Sequence, residues 1–177
     1  AMRPILLIPG YQGAGPGHWQ SFWESNLHDA KRVEMPNWDF PHRADWVEAL
    51  DSAIREAGQF TPPLLVAHSL GCLAVVHWAR FNLHPIQAAL LGAPVDVERA
   101  GTLAVLEDFA PIPLFGLPFP SHVVASSNDP YPPLERSRAF AEAWNSRFTD
   151  LGPCGHINTA SGHGEWPRGE ALLKDLM

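Results

Sequence analysis

The chain has 177 residues, of which 46% are hydrophobic, enough for one domain with a single core. Its formal net charge is −7 and its 12 Lys and Arg residues are scattered, which argues against nucleic acid and acidic membrane surfaces as partners, since both need a clustered basic face. No apolar run reaches the ~18 residues of a membrane span, and the N-terminus lacks the charged-then-apolar pattern of a secretory leader.

Pro4-Ile5-Leu6-Leu7-Ile8 is a short apolar run closed by Pro9-Gly10, which predicts a buried strand. Gly17 to His28 predicts a helix with Trp19, Phe22, Trp23 and Leu27 on one face. Arg32-Val33-Glu34-Met35 reads as a weaker strand stopped by Pro36-Asn37. Ala44 to Ala57 predicts a helix, with Trp46, Leu50 and Ile54 spaced by four and Gly58 past its end. Pro63-Leu64-Leu65-Val66-Ala67 is a second buried strand, and it runs into a helix from Ser69 to Phe81. Strands follow at Ile86–Leu91 and Ser121–Ser126, then a helix from Leu134 to Ser146. A short strand, Arg147–Leu151, and a helix from Glu165 to Met177 complete the order.

Strands that are apolar without alternation belong to parallel sheets covered on both faces. Strand–helix alternation predicts a doubly wound α/β fold with about six strands, mostly parallel, over a single domain spanning 1–177. Ala100 to Pro120 breaks the pattern, because its prolines forbid a long regular helix. This stretch, with its apolar run from Phe109 to Pro120, predicts either a greasy flap near a pocket or a loop packed on the core. Ala1 ahead of Met2 reads as a remnant of expression.

The strongest chemical signal is Val66-Ala67-His68-Ser69-Leu70-Gly71. It has the form small-x-Ser-x-Gly between a buried strand and a helix, the context of a nucleophile elbow. Small residues two before and two after the serine let strand and helix crowd together while the hydroxyl is lifted above the sheet edge. Ala67 stands where glycine is usual, which adds one methyl. The competing role for Ser69 is an ordinary helix N-cap. His68 is not expected to be its base, since neighbours at a sharp turn point apart.

A serine hydroxyl needs a base, and the base needs a third group to orient it. With the order Ser, acid, His, two acids follow strands: Asp96 and Asp129. Asp129 is preferred, because Ser126-Ser127-Asn128-Asp129-Pro130 turns at the carboxyl edge of the sheet, where such sites form. Asp96 is expected to cap a following helix. For the base, His156 in Gly152-Pro153-Cys154-Gly155-His156 is preferred over His163 because it lies nearer the strand end.

Gly10, Gly13, Gly15 and Gly17 make the loop after the first strand glycine-rich. It lacks the Lys-Ser/Thr ending of a phosphate loop and does not fit G-x-G-x-x-G. It fits a loop that donates a backbone N–H to an oxyanion, with Tyr11 and Leu70 as the two donors. His18 and Trp19 could line the pocket, with helix packing the more natural task for Trp19. Cys72 and Cys154 are too few for a disulfide framework, and buried free thiols in a reducing cytoplasm are expected. Cys154, His156 and His163 match no zinc spacing, so neither metal nor cofactor is expected.

The chain resembles, nearly end to end, the small serine hydrolase family named after retinoblastoma-binding protein 9, with its bacterial YdeN-like relatives. The residues that carry the resemblance are Pro9-Gly10, Gly17-His18-Trp19, Trp23, His68-Ser69-Leu70-Gly71 and Pro118-Phe119-Pro120-Ser121. Further on come Ala125-Ser126-Ser127-Asn128-Asp129-Pro130-Tyr131 and Gly155-His156-Ile157-Asn158. The resemblance implies a compact α/β-hydrolase without a large cap domain and a triad of Ser69, Asp129 and His156. Retinoblastoma-protein binding through L-x-C-x-E does not transfer, because Leu70-Gly71-Cys72-Leu73-Ala74 ends in Ala.

The function expected is hydrolysis of small carboxylic esters, or of amides, through an acyl-enzyme on Ser69. The alternatives are acyl transfer by the same residues, and a non-catalytic interaction module whose partner surface is the apolar run from Phe115 to Phe119. The expected partner is a small acyl substrate.

Overall fold

The computed structural model describes residues 3–81 and 83–177; Ala1 and Met2 lie outside them. Six strands form one sheet: β1 (Ile5–Ile8), β2 (Ala30–Arg32), β3 (Leu64–His68), β4 (Ala88–Gly92), β5 (Ser121–Ala125) and β6 (Arg147–Asp150). Their order is β2-β1-β3-β4-β5-β6, and every neighbouring pair is parallel. Among the described residues four α-helices lie between them, α1 (Trp19–Asn26), α2 (Arg43–Ala57), α3 (Leu70–Ala79) and α4 (Leu134–Trp144), and α5 (Pro167–Leu176) follows β6.

The period of two along each strand splits the core into two layers. Leu6, Ile8, Leu65, Ala67, Ala89, Leu91 and Val123 face α2, α3 and α4, where Trp46, Leu50, Ile54, Phe140 and Trp144 meet them. Ile5, Leu7, Leu64, Val66, Ala88, Leu90 and Val124 face α1 and α5, against Trp19, Trp23, Leu173 and Leu176. Both faces of the sheet are therefore covered, which is why the central strands carry no polar alternation. The helix α3 is buried at all ten positions. It has no solvent face, so an apolar all-round sequence suits it.

One expectation needs correction. The second strand is Ala30–Arg32, not Arg32–Met35; it pairs Ala30, Lys31 and Arg32 with Ile5, Leu6 and Leu7. An edge strand needs backbone partners rather than apolar side chains, whereas Val33 and Met35 continue past it into the α2 side of the core. The segment 100–120 is irregular except for a 3-10 helix, Ala104–Phe109. Its Phe109, Ile112, Leu117 and Phe119 are buried in the core. The later half of the segment is thus core packing, while Ala100, Gly101, Thr102, Leu103 and Leu106 border the pocket, so both expectations for it hold in part.

Candidate active site

Ser69 joins β3 to α3 with φ 55° and ψ −118°. A non-glycine residue pays for that conformation and keeps it only where its surroundings enforce it. They do so here. The Ser69 N–H donates to the Gly92 carbonyl at 2.9 Å, and the Cys72 N–H to the Ser69 carbonyl at 3.0 Å. The loop after β1 presses on the turn from the other side: a Cβ on Gly10 would lie 3.0 Å from Ser69 Cβ and 3.2 Å from Leu70 N.

The structure brings Ser69, His156 and Asp129 together. The Ser69 hydroxyl donates to His156 Nε2 at 2.8 Å, and His156 Nδ1–H donates to Asp129 Oδ2 at 2.8 Å. Asp129 Oδ1 lies 3.0 Å from the same nitrogen and also accepts the Tyr131 N–H at 2.9 Å. The carboxylate is almost wholly shielded, with 1% of its side chain exposed. Burial strengthens its pull on the imidazole.

The other candidates are engaged with other partners. Asp96 caps no helix. Its carboxylate takes two hydrogen bonds from the Arg136 guanidinium at 3.0 and 3.2 Å, and Arg136 also reaches Glu98 at 2.9 Å. His163 is held by Ser161 at 3.1 Å. His68 is buried beside Ser69, and its Nε2–H donates to the His156 backbone carbonyl at 2.8 Å. Burial and the neighbouring His156 push His68 well below the usual imidazole range. Cys72 is buried, whereas Cys154 is only partly so; both are free thiols.

Tyr11, in the loop after β1, borders the same cavity as Ser69, and Leu70 follows Ser69 as the first residue of α3. Among the described residues neither backbone N–H has a protein acceptor. Both are thus free to bind an oxygen at the site. The glycine-rich loop that carries Tyr11 is braced from below: Arg32 donates to the Ala14 carbonyl at 2.8 Å, and the Ser21 hydroxyl to the Gly15 carbonyl at 2.7 Å.

Ser69 opens into a cavity of about 670 Å³, bordered among others by Tyr11, His18, Leu103, Leu106, Tyr131 and His156. That is within the usual ~300–1,000 Å³ of small-molecule sites. Trp19 packs in the core, and its indole N–H donates to the Ile157 carbonyl at 2.9 Å. His18 caps α1, where its Nδ1 accepts the Gln20 N–H at 3.1 Å. Burial, reinforced by the Arg32 charge, pushes His18 down to about 4. The ring is therefore neutral at pH 7, with its proton on Nε2.

Sequence reasoning missed the polar supports of the loop that follows β6. The Cys154 N–H donates to Ser126 Oγ at 2.8 Å, and the Gly155 N–H to Asn128 Oδ1 at 2.7 Å. The polar run Ser126-Ser127-Asn128 beside Asp129 was the available signal.

A parallel sheet, helices on both faces and a serine at a strained strand-to-helix turn define an α/β-hydrolase. The profile of the serine hydrolase family matches residues 5–175, and the chain belongs to that family. YdeN of Bacillus subtilis, provisionally named a hydrolase, is 26% identical, over 88% of this chain and 86% of that protein. Its crystal structure superposes with a TM-score of 0.85 at 22% identity, covering 99% of this chain and 98% of that one. A YdeN-like hydrolase of Pectobacterium atrosepticum gives 0.86 at 29% identity, over 99% and 90%. A monoacylglycerol lipase of Paleococcus ferrophilus shares the fold at 14% identity, with a TM-score of 0.74 over 98% and 95%.

Proposed function

We propose that this serine hydrolase cleaves small carboxylic esters, with amides as a second class, through an acyl-enzyme on Ser69. The observation that carries the reading is the unbroken line of hydrogen bonds from the Ser69 hydroxyl through His156 to Asp129, each 2.8 Å long.

His156 Nε2 takes the Ser69 proton as Oγ attacks the acyl carbon. Asp129 keeps the other ring proton on Nδ1 and stabilises the imidazolium that forms. The negative oxygen of the tetrahedral intermediate is received by the Tyr11 and Leu70 N–H groups. The imidazolium then gives its proton to the departing alkoxide as the C–O bond breaks. Water, deprotonated by the same nitrogen, attacks the acyl-enzyme and releases the acid and the serine.

A fluorophosphonate should label the wild type and leave Ser69→Ala unlabelled, while a short activated ester is hydrolysed only by the wild type. Equal labelling of both proteins would end the reading. Product analysis with added alcohol separates acyl transfer from hydrolysis. A folded wild type that neither labels nor turns over would favour a non-catalytic module. The two free thiols, Cys72 and Cys154, support a reducing, cytoplasmic setting.

A further inference from the structure

Four consecutive residues of the loop after β6 are each gripped by a side chain from elsewhere. Ser126 and Asn128 hold the Cys154 and Gly155 N–H groups. The His68 ring holds the His156 carbonyl, and the Trp19 indole holds that of Ile157. Ser126 and Asn128 belong to the loop of the acid, and Trp19 belongs to α1. His68 differs from all three, because it is covalently next to Ser69. Its bond ties the residue before the nucleophile to the residue that carries the base.

We propose that His68 is a positioning residue: its Nε2–H bond to the His156 carbonyl sets the distance between the Ser69 hydroxyl and the His156 ring. This rests on the reading of Ser69 and His156 as nucleophile and base.

Three observations support it. First, the bond is short and lies out of solvent, 2.8 Å between two buried residues. Its loss would strand a buried carbonyl, and the backbone would move to satisfy it. Second, the loop is under strain at this point. Ile157 has φ 54°, in the left-handed region that β-branched residues avoid. The His68 and Trp19 bonds flank that residue's peptide and hold it there. Third, the ring sits 4.9 Å from the His156 ring, centroid to centroid. A cationic donor there would oppose the imidazolium that forms on His156. A buried imidazole supplies the donor without the charge.

The test uses His68→Leu, which removes the donor, and His68→Gln, whose amide N–H reaches the place of Nε2. With a short activated ester, His68→Leu should lower kcat about 10- to 100-fold, the usual cost of ~1 Å of misplacement, with KM nearly unchanged. His68→Gln should recover most of that loss, and fluorophosphonate labelling rates should follow kcat. A purely structural role would lower thermal stability in both variants without this rescue. His68→Leu at wild-type kcat overturns the proposal, as does His68→Gln as slow as His68→Leu. Should His68→Leu fail to fold, the ring tautomer in wild type decides, read from long-range nitrogen–proton NMR couplings. An Nε2–H ring supports the proposal, and an Nδ1–H ring overturns it. Labelling that survives Ser69→Ala would overturn the hydrolase reading instead. Wild-type-like His68→Leu in an enzyme whose labelling needs Ser69 overturns the positioning role alone.

Discussion

Gly71 lies against the end of β1, so close that a Cβ there would meet the carbonyl oxygen of Pro9 at 2.7 Å and that of Ile8 closer still. Those atoms are buried backbone where β1 ends and cannot step aside. Gly71→Ala should therefore destabilise the protein by about 3 kcal/mol or more, or prevent folding. The opposite exchange two residues before the serine is mild. Ala67→Gly adds only strand flexibility, about 1 kcal/mol. Urea titrations of the two variants should differ widely in midpoint, and similar midpoints would contradict this account of the elbow.

Asp129 and Asp96 both follow strands, yet they should respond differently to loss of charge. Asp129→Asn keeps the shape of the site and removes the acceptor that fixes the His156 tautomer. The expected fall in kcat is about 10³- to 10⁴-fold, with the fold intact. Asp96→Asn weakens the paired bonds with Arg136 instead, and it should cost roughly 1–3 kcal/mol of stability. Stopped assays and thermal melts on the same preparations check both, and a larger kcat loss in Asp96→Asn than in Asp129→Asn would reverse the assignment.

The contrast between these two residues shows what a linear sequence can reveal. The elbow was legible because strand, motif and helix coincide within Leu64–Ala79, so the constraint is local. The helix α2 was legible from Trp46, Leu50 and Ile54 on one face. Asp96 was misread because its partner, Arg136, is forty residues away in α4, and no local pattern signals a long-range ion pair. The bounds of the edge strand β2 are hidden because Ala30–Arg32 pairs with β1 through its backbone while its side chains show no apolar run. The His68–His156 bond spans 88 positions and involves a main-chain carbonyl. A backbone acceptor leaves no mark on sequence.

Stability should depend on pH through histidines that the fold keeps neutral. Burial depresses His18 to about 4 and also lowers His68, His77, His122 and His163. In the unfolded chain these rings take up protons near pH 6.5. Between about 6.5 and 4 the unfolded state therefore binds more protons than the native one. Stability is fully present above about pH 6.5 and falls as the pH drops through that window, with His18 alone contributing roughly 3 kcal/mol. Urea midpoints measured from pH 8 to 4.5 should decline, most steeply below 6.5. His18→Asn keeps an acceptor for the Gln20 N–H and removes the titration, so its decline should be shallower. A flat profile in the wild type would refute the assignment of these rings as neutral.

The cavity wall next to Ser69 should set chain-length preference. Leu103 and Leu106 come from the segment that leads into and through the 3-10 helix, and both border the cavity. Leu103 is half exposed, at 53%, so its replacement need not disturb the core. Leu103→Glu sets a carboxylate against the apolar wall, where it opposes burial of an alkyl chain. Acetyl esters, whose acyl group carries only a methyl, should be little affected. Hexanoyl esters should lose about tenfold in kcat/KM relative to acetyl esters, the order of discrimination that one or two methylenes provide. A graded series from acetate to octanoate measures this directly. An equal loss at every chain length would mean that the acyl group extends away from Leu103, along the side of the cavity formed by His18 and Tyr11.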